Sequence, residues 1–250
     1  MTLATRSVTA LAAALFAVAS WTQEVGAEAL TMTFGASIPP YAFPDTGRGI
    51  EVDIIREALA LSGIELEPVY VPARRIAFEF IQGKVDAASK DQGEDLAAHG
   101  GIYGEVSVQF QDVIFTLEER ALDVTDPSDL EGLRVVAFQN ASKHYSDWLS
   151  PLQGSANYTE TADQSLQVKM LHRGRADVIV ADRNIVQYLT KLVAEEGKIE
   201  IKPVQTTSFA DPWGYRPAFR TEELRDKFNA GLKTLIDSGR YQEIVDSYVN

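Results

Sequence analysis

One acidic residue stands where an α/β protein could bind a ligand. Asp182 follows the apolar run Ala176–Ala181, which is typical of a buried strand, and a helix-forming segment comes after it. Ligands of open α/β sheets collect at the carboxyl ends of the strands, so this carboxylate is a candidate for receiving a positively charged group. Asp is also a favoured N-cap, and capping a helix that starts near Asn184 is the structural alternative.

Two further segments place polar or aromatic side chains just after predicted strands. Tyr41 and Phe43 lie in a loop after the first strand, and their flat faces suit a cation or an apolar group. Ordinary loop packing is the alternative for both. Gln139 and Ser142 follow the predicted strand Leu133–Phe138, where Ser142 could contact a ligand or cap a helix.

Several kinds of chemistry are excluded by composition. The chain has no cysteine, so disulfides, thiolate catalysis and zinc–thiolate sites are impossible. Its three histidines are far apart in sequence, and we expect neither a metal site nor a cofactor. The formal net charge of −13 disfavours binding to nucleic acid or to anionic membrane surfaces.

Strand-like and helix-like segments alternate along 250 residues. The pattern predicts strands at Leu30–Gly35, Ile64–Val71, Val85–Ser89, Leu133–Phe138, Ala176–Ala181 and Ile199–Lys202. It predicts helices at Ile50–Leu61, Ala73–Gln82, Asn184–Glu196 and in two segments capped by Asp163 and Thr221, and a glycine ends each helix. Such alternation favours an α/β fold with parallel sheets covered by helices. The run Phe80–Ala88 resembles Leu171–Ile179 in its order of helix, glycine, basic residue, Asp and strand, which indicates two similar halves.

The first residues are typical of an export signal. Arg6 precedes an apolar stretch of about 13 residues, which is shorter than the ~20 residues that a membrane-spanning helix needs. Small residues then offer cleavage after Ala27 or after Ala29. We therefore predict that residues 1–27 form a cleaved signal peptide; an uncleaved membrane anchor is the alternative.

Six short blocks, in order, resemble the periplasmic solute-binding proteins of family 3, which serve polar amino-acid ABC transporters. The blocks are Ile38–Phe43, Gly49–Ile54, Gln82–Asp86, Asp129–Val135, Arg173–Asp182 and Leu235–Tyr248. The resemblance implies an α/β, two-lobed, type II periplasmic-binding-protein-like fold with two hinge crossovers. It places lobe 1 at 28–110 plus 213–250 and lobe 2 at 113–208.

The resemblance also implies roles for individual residues. Asp182 matches the family's receptor for the ligand's ammonium group, and Tyr41 and Phe43 match aromatic residues that line the ligand site. Gln139 and Ser142 match a turn that holds a carboxylate.

The family's carboxylate-binding arginine has no counterpart in the segment after Asp86. Lys90 is the only cation there, and a lysine is a point charge without the bidentate fork of arginine. Arg74 or its neighbour Arg75 could supply the charge instead; a solvated helix face is the alternative for both.

These observations predict a monomeric periplasmic binding protein that captures a small polar solute and delivers it to an inner-membrane ABC permease, without catalysis. An exported enzyme related to cyclohexadienyl dehydratases, with Asp182 as the acid, is one alternative. A sensory module that presents its ligand to a membrane receptor is another.

Overall fold

A computed structural model describes residues 28–36 and 38–250. The predicted signal peptide, residues 1–27, lies outside the described residues. The helices are α1 Ile50–Ala60, α2 Ile76–Ile81, α3 Ala141–His144, α4 Ser146–Leu149, α5 Gln164–His172, α6 Arg183–Glu195, α7 Glu222–Ser238 and α8 Arg240–Val249. The strands are β1 Glu28–Gly35, β2 Ile64–Val71, β3 Ala87–Ala88, β4 Ile102–Tyr103, β5 Val108–Phe110, β6 Asp112–Leu117, β7 Val135–Phe138, β8 Tyr158–Thr161, β9 Val178–Asp182, β10 Val204–Ser208, β11 Trp213–Tyr215 and β12 Ala218–Phe219.

The first sheet has the strand order β2-β1-β3-β12-β4. β1 runs parallel to β2 along its whole length and parallel to β3 on its other side, whereas β12 is antiparallel to its neighbours. Leu30, Met32 and Phe34 of β1 are buried in one core with the apolar faces of α1, α7 and α8. We call this sheet, with α1, α2, α7 and α8, lobe 1.

The second sheet has the strand order β10-β6-β9-β7-β8. Apolar clusters cover both of its faces, with Ile179 and Ala181 in one cluster and Val178 and Val180 in the other. Burial on both faces explains why Val178–Ala181 is a continuous apolar run instead of an alternating one. We call this sheet, with α3 to α6, lobe 2.

Two crossovers connect the lobes. The chain passes from β5 to β6 through Gln111, and it returns through residues 209–212 between β10 and β11. β5 and β11 pair as an antiparallel ribbon in which Phe110 is the register partner of Trp213. A Cβ atom on Gly214 would lie 2.4 Å from Val106 Cγ1 and 2.6 Å from the Val108 carbonyl oxygen, so the ribbon requires glycine there.

The structure confirms most of the predicted elements. Asp163 caps α5 by accepting hydrogen bonds from the Ser165 and Leu166 amides, and Thr221 caps α7 through the Leu224 amide. The predicted strand at Ile199–Lys202 is wrong. Its isoleucines pack on the lobe 2 core, but the Lys202 N–H donates to Nδ1 of His172, and the strand β10 begins only at Val204.

Strands β4, β5 and β8 did not stand out in the sequence, because they are short or carry no apolar alternation. Among the described helices, none has the length and apolar character needed to cross a bilayer.

Candidate ligand-binding cleft

A cavity of about 200 Å³ lies between the two lobes. Both lobes and the crossover ribbon contribute to its wall. Its charged lining residues are Lys90, Asp112 and Asp182, and its aromatic ones are Phe110, Phe138, His144, Trp213 and Tyr215. The volume suits a solute smaller than a typical drug molecule.

Asp182 joins three parts of the structure through one carboxyl group. Its Oδ1 atom accepts hydrogen bonds from the Ile185 amide at 3.0 Å, as the N-cap of α6, and from the Tyr41 hydroxyl at 2.9 Å. Its Oδ2 atom accepts from the Gln111 amide at the first crossover, at 2.9 Å. Asp182 therefore caps α6 and also lines the cleft, while its contact with a ligand stays a prediction.

The ionisation of Asp182 is disfavoured by its surroundings. Its side chain is only 3% exposed, and this burial raises the pKa of Asp182 to about 6. The amides of Ile185 and Gln111 and the Tyr41 hydroxyl act in the opposite direction, while the negative charge of Asp112 adds to the increase.

Asp112 is a charged lining residue that the sequence interpretation missed. It starts β6 and is the antiparallel register partner of Asp182, so the two side chains share one face of the sheet. Its Oδ2 atom accepts from the Tyr145 hydroxyl at 2.6 Å and from Nε1 of Trp213 at 3.2 Å. The only sequence signal was its place between the expected end of the first part of lobe 1 at 110 and the expected start of lobe 2 at 113.

Lys90 lines the cavity, but its charge is already paired. Its Nζ atom lies 2.9 Å from Oε2 of Glu51, and both side chains are 1% exposed. The same Nζ atom lies 4.3 Å from the ring centroid of Tyr215 and 6.0 Å from that of Phe110. Glu51 escaped prediction because it resembles an ordinary acidic residue in the first turn of a helix.

The aromatic wall is centred on Phe110. Its ring stacks on Trp213, with centroids 4.9 Å apart and planes inclined by 16°, and it lies 4.2 Å from the ring of Tyr41. Tyr215 meets Phe110 edge to face, and His144 lies 5.6 Å from Trp213. These rings give the cavity a flat aromatic wall, which meets an acidic group where the Trp213 indole donates to Asp112.

Tyr41 and Phe43 occupy different places. Tyr41 is fully buried, where burial raises its pKa, and its hydroxyl also accepts a hydrogen bond from the Asn184 side chain at 3.1 Å. The start of α1 holds this loop, because the Glu51 amide donates to the Tyr41 carbonyl oxygen at 3.1 Å. Phe43 instead packs against Tyr188 and Tyr248, away from the lining of the cavity.

The turn before α3 binds the carboxylate of Glu160, a residue of the protein itself. The amide and the hydroxyl of Ser142 donate to Oε1 of Glu160 at 2.9 and 2.6 Å, and the Asn140 amide donates to Oε2 at 2.8 Å. Burial raises the pKa of Glu160, but these hydrogen bonds and that from Tyr158 outweigh it and lower the pKa to about 2. Gln139, beside this turn, is exposed.

Of the residues proposed from the sequence, Lys90 and Asp182 line the cavity, and Tyr41 contacts Asp182 directly. Arg74 is exposed and makes no ion pair with the described residues, while Arg75 pairs with Glu79. Phe43, Arg74, Gln139 and Ser142 are not part of the lining. The ligand contact of each residue stays a prediction. Within the described chain, no group of three or more His, Asp or Glu side chains is placed to hold a metal ion.

The two lobes, the paired crossovers and the cleft between them define the type II periplasmic-binding-protein-like fold. The structure is similar to an ancestral cationic amino acid solute-binding protein, with a TM-score of 0.69 and 18% identity over 89% of this chain and 96% of that chain. It is also similar to a polar amino acid ABC uptake transporter substrate-binding protein from Streptococcus thermophilus, with a TM-score of 0.67 and 17% identity over 88% of this chain and 86% of that one. The resemblance to solute-binding proteins drawn from the sequence is thus confirmed at the level of the fold.

One curated relative matches part of the chain. It is the arginine-binding periplasmic protein of Mannheimia haemolytica, which is 24% identical over 122 residues. The match covers 49% of this chain and about half (51%) of that protein. No protein-family model matches the chain.

Proposed function

We propose that this protein is a solute-binding protein that captures a small polar solute between its lobes and delivers it to an ABC permease. The observation that carries the proposal is the cavity of about 200 Å³ whose wall is built by both lobes and by the ribbon that joins them. The similar proteins are named as amino-acid-binding proteins, which supports the binding of a small polar solute.

Ligand binding and closure are one event in this arrangement. Residues of lobe 1, such as Lys90, and of lobe 2, such as Asp182, face a common space, so a solute gains its full set of contacts only when the lobes meet. The solute then shifts the equilibrium of the hinge toward the closed state by its preference for that state. The permease recognises the closed form and receives the solute. We propose that the protein does this as a monomer in the periplasm.

One observation favours a second candidate, an enzyme. A buried carboxyl group with a pKa near 6 is suited to donate a proton, and Asp182 is such a group. However, a cyclohexadienyl acid would bring its own carboxylate into a cavity whose one lysine is already paired with Glu51. Binding without chemistry is therefore the better supported function. A sensory module would use the same cleft with a different partner.

The proposal is tested by a thermal-melt screen of residues 28–250 against amino acids, amines, small sugars and organic acids. The protein is first unfolded and refolded, so that copurified ligand is removed. A ligand at 100 times its Kd adds about 2.7 kcal/mol to stability, and small-angle scattering of the same mixture should show compaction. Mass spectrometry after overnight incubation should recover the ligand unchanged. Conversion of the ligand would instead identify an enzyme, and absence of both melting shift and compaction for every class would refute solute binding.

A further inference from the structure

We propose that the cleft selects a small organic cation that carries N–H groups and lacks a carboxylate, an amine or a guanidine instead of an α-amino acid. This inference rests on the proposed function and specifies the ligand class of the same site.

The charge of the cavity wall is the first argument. Lys90 is neutralised by Glu51 at 2.9 Å, which leaves Asp112 and Asp182 as the charged lining groups without a cationic partner. Every hydrogen bond that these two carboxylates accept comes from a neutral donor, namely a tyrosine hydroxyl, the Trp213 indole or a backbone amide. Within the described chain, no lysine or arginine forms an ion pair with either of them. A cation between them would relieve their mutual repulsion.

The aromatic wall is the second argument. Phe110, Trp213 and Tyr215 line the same cavity as the two carboxylates and carry π-systems that attract cations. The Nζ atom of Lys90, at 4.3 Å from the Tyr215 ring centroid, already makes one such contact. The aromatic rings and the carboxylates of the wall therefore both favour a positively charged ligand.

The turn before α3 and Lys90, which the sequence offered as carboxylate-binding groups, are both engaged within the protein. The amides of Asn140 and Ser142 and the Ser142 hydroxyl all donate to Glu160. The ammonium group of Lys90 is held by Glu51. A ligand carboxylate would have to displace one of the protein's own carboxylates, and it would add negative charge to a wall that already has an excess of it.

An unpaired acceptor in the lining supports the same conclusion. Gln164, at the start of α5, has a buried Oε1 atom with no hydrogen-bond partner in the structure. A buried acceptor without a partner is costly, and a donor from the ligand would satisfy it. This favours a cation that carries N–H groups over a quaternary ammonium.

The experiment compares two matched pairs by calorimetry at pH 7.5 and low salt: agmatine against arginine, and cadaverine against lysine. Each amine is the corresponding amino acid without its carboxylate. We expect the amine of at least one pair to bind, at least about tenfold more tightly than its amino acid. Asp112→Asn, which keeps an oxygen for Tyr145 and Trp213, should weaken that binding by about tenfold or more. The exposed Asp147→Asn on the same lobe should leave it within about twofold.

The outcomes separate this inference from the proposed function. Tighter binding of an amino acid than of its amine would overturn the inference and leave the proposed function standing. Binding of a sugar or an organic acid in the wider screen, when neither amine binds, would likewise overturn the inference and leave the proposed function standing. If no compound of any class binds or compacts the protein, both fall. Unchanged amine binding in Asp112→Asn, with the variant folded by circular dichroism, would also overturn the inference.

Discussion

The Tyr41 hydroxyl donates a hydrogen bond to Oδ1 of Asp182 at 2.9 Å, and the two residues belong to different lobes. Asp182 also caps α6 and accepts a hydrogen bond from the Gln111 amide at the crossover. A single buried carboxyl group is therefore hydrogen-bonded to lobe 1, to the first turn of α6 and to the hinge. A change in the angle between the lobes must alter the surroundings of this group.

Replacing Tyr41 with Phe should weaken the contact between the lobes. The variant keeps the ring that packs on Phe110 and removes the hydroxyl, which donates to Asp182 and accepts from the Asn184 side chain. We expect a loss of about 1 kcal/mol in the free energy of unfolding, measured in urea, and weaker ligand binding. Tyr188→Phe is the matched control, since the Tyr188 hydroxyl has no hydrogen-bond partner among the described residues. An equal loss in the control would contradict the assigned role of Tyr41.

The stability of the unliganded protein should depend on pH through Asp182. Its pKa is about 6 in the folded state and near 4 in the unfolded chain, so the folded protein binds the extra proton between these values. The stability conferred by that proton is present at pH 4 and is lost as the pH rises through 6, by up to about 3 kcal/mol. Asp182→Asn cannot titrate and still caps α6.

The measurement is urea unfolding of the wild type and of Asp182→Asn from pH 4 to pH 8. We expect the variant to gain stability relative to the wild type as the pH increases. The exposed Asp147→Asn should follow the wild type at every pH. Parallel curves for the wild type and Asp182→Asn would mean that burial of Asp182 does not shift its pKa.

Breaking the ion pair between Lys90 and Glu51 should lower the free energy of unfolding strongly only when one buried charge remains without its partner. Lys90→Met leaves Glu51 buried without a cation, which should cost about 3–5 kcal/mol of unfolding free energy. The double variant Lys90→Met/Glu51→Leu removes both charges and should regain most of that loss. Lys233→Met, which opens the exposed pair with Asp237, should cost less than about 1 kcal/mol. A double variant that is no more stable than Lys90→Met alone would disprove the interpretation.

Glu160→Gln should destabilise lobe 2, because the charged carboxylate satisfies the Asn140 and Ser142 amides. We expect a loss of about 1–3 kcal/mol in unfolding free energy at pH 7. Since the pKa of Glu160 is lowered to about 2, this stabilisation is fully present above the unfolded pKa near 4 and is lost as the pH falls toward 2. The difference between wild type and variant should therefore shrink below pH 4. Glu195→Gln, at an exposed site on α6, serves as the control, and a loss there of similar size would count against the proposed hydrogen bonds.

Local patterns in the sequence predicted the larger elements well. Periodicity, caps and glycine stops identified α1, α5, α6 and α7, because each signal depends on residues within one or two turns of the chain. Residues at the carboxyl ends of predicted strands, such as Asp182, were found because sheet edges collect functional side chains. The strand predicted at Ile199–Lys202 failed for the complementary reason: two isoleucines can pack on a core without any strand beside them to complete a ladder.

The sequence by itself therefore determined the α/β class, the main helices, the doubled architecture and the position of Asp182 at a strand end. Only the tertiary structure decided which charges meet. The partners Glu51 and Lys90 are 39 residues apart, and Asp112 and Asp182 face each other only through the register of β6 and β9. Glu160 resembles any surface carboxylate until β8 places it against the Ser142 amide. Pairing across such separations depends on strand register and lobe packing, and it leaves no periodic signal in the chain.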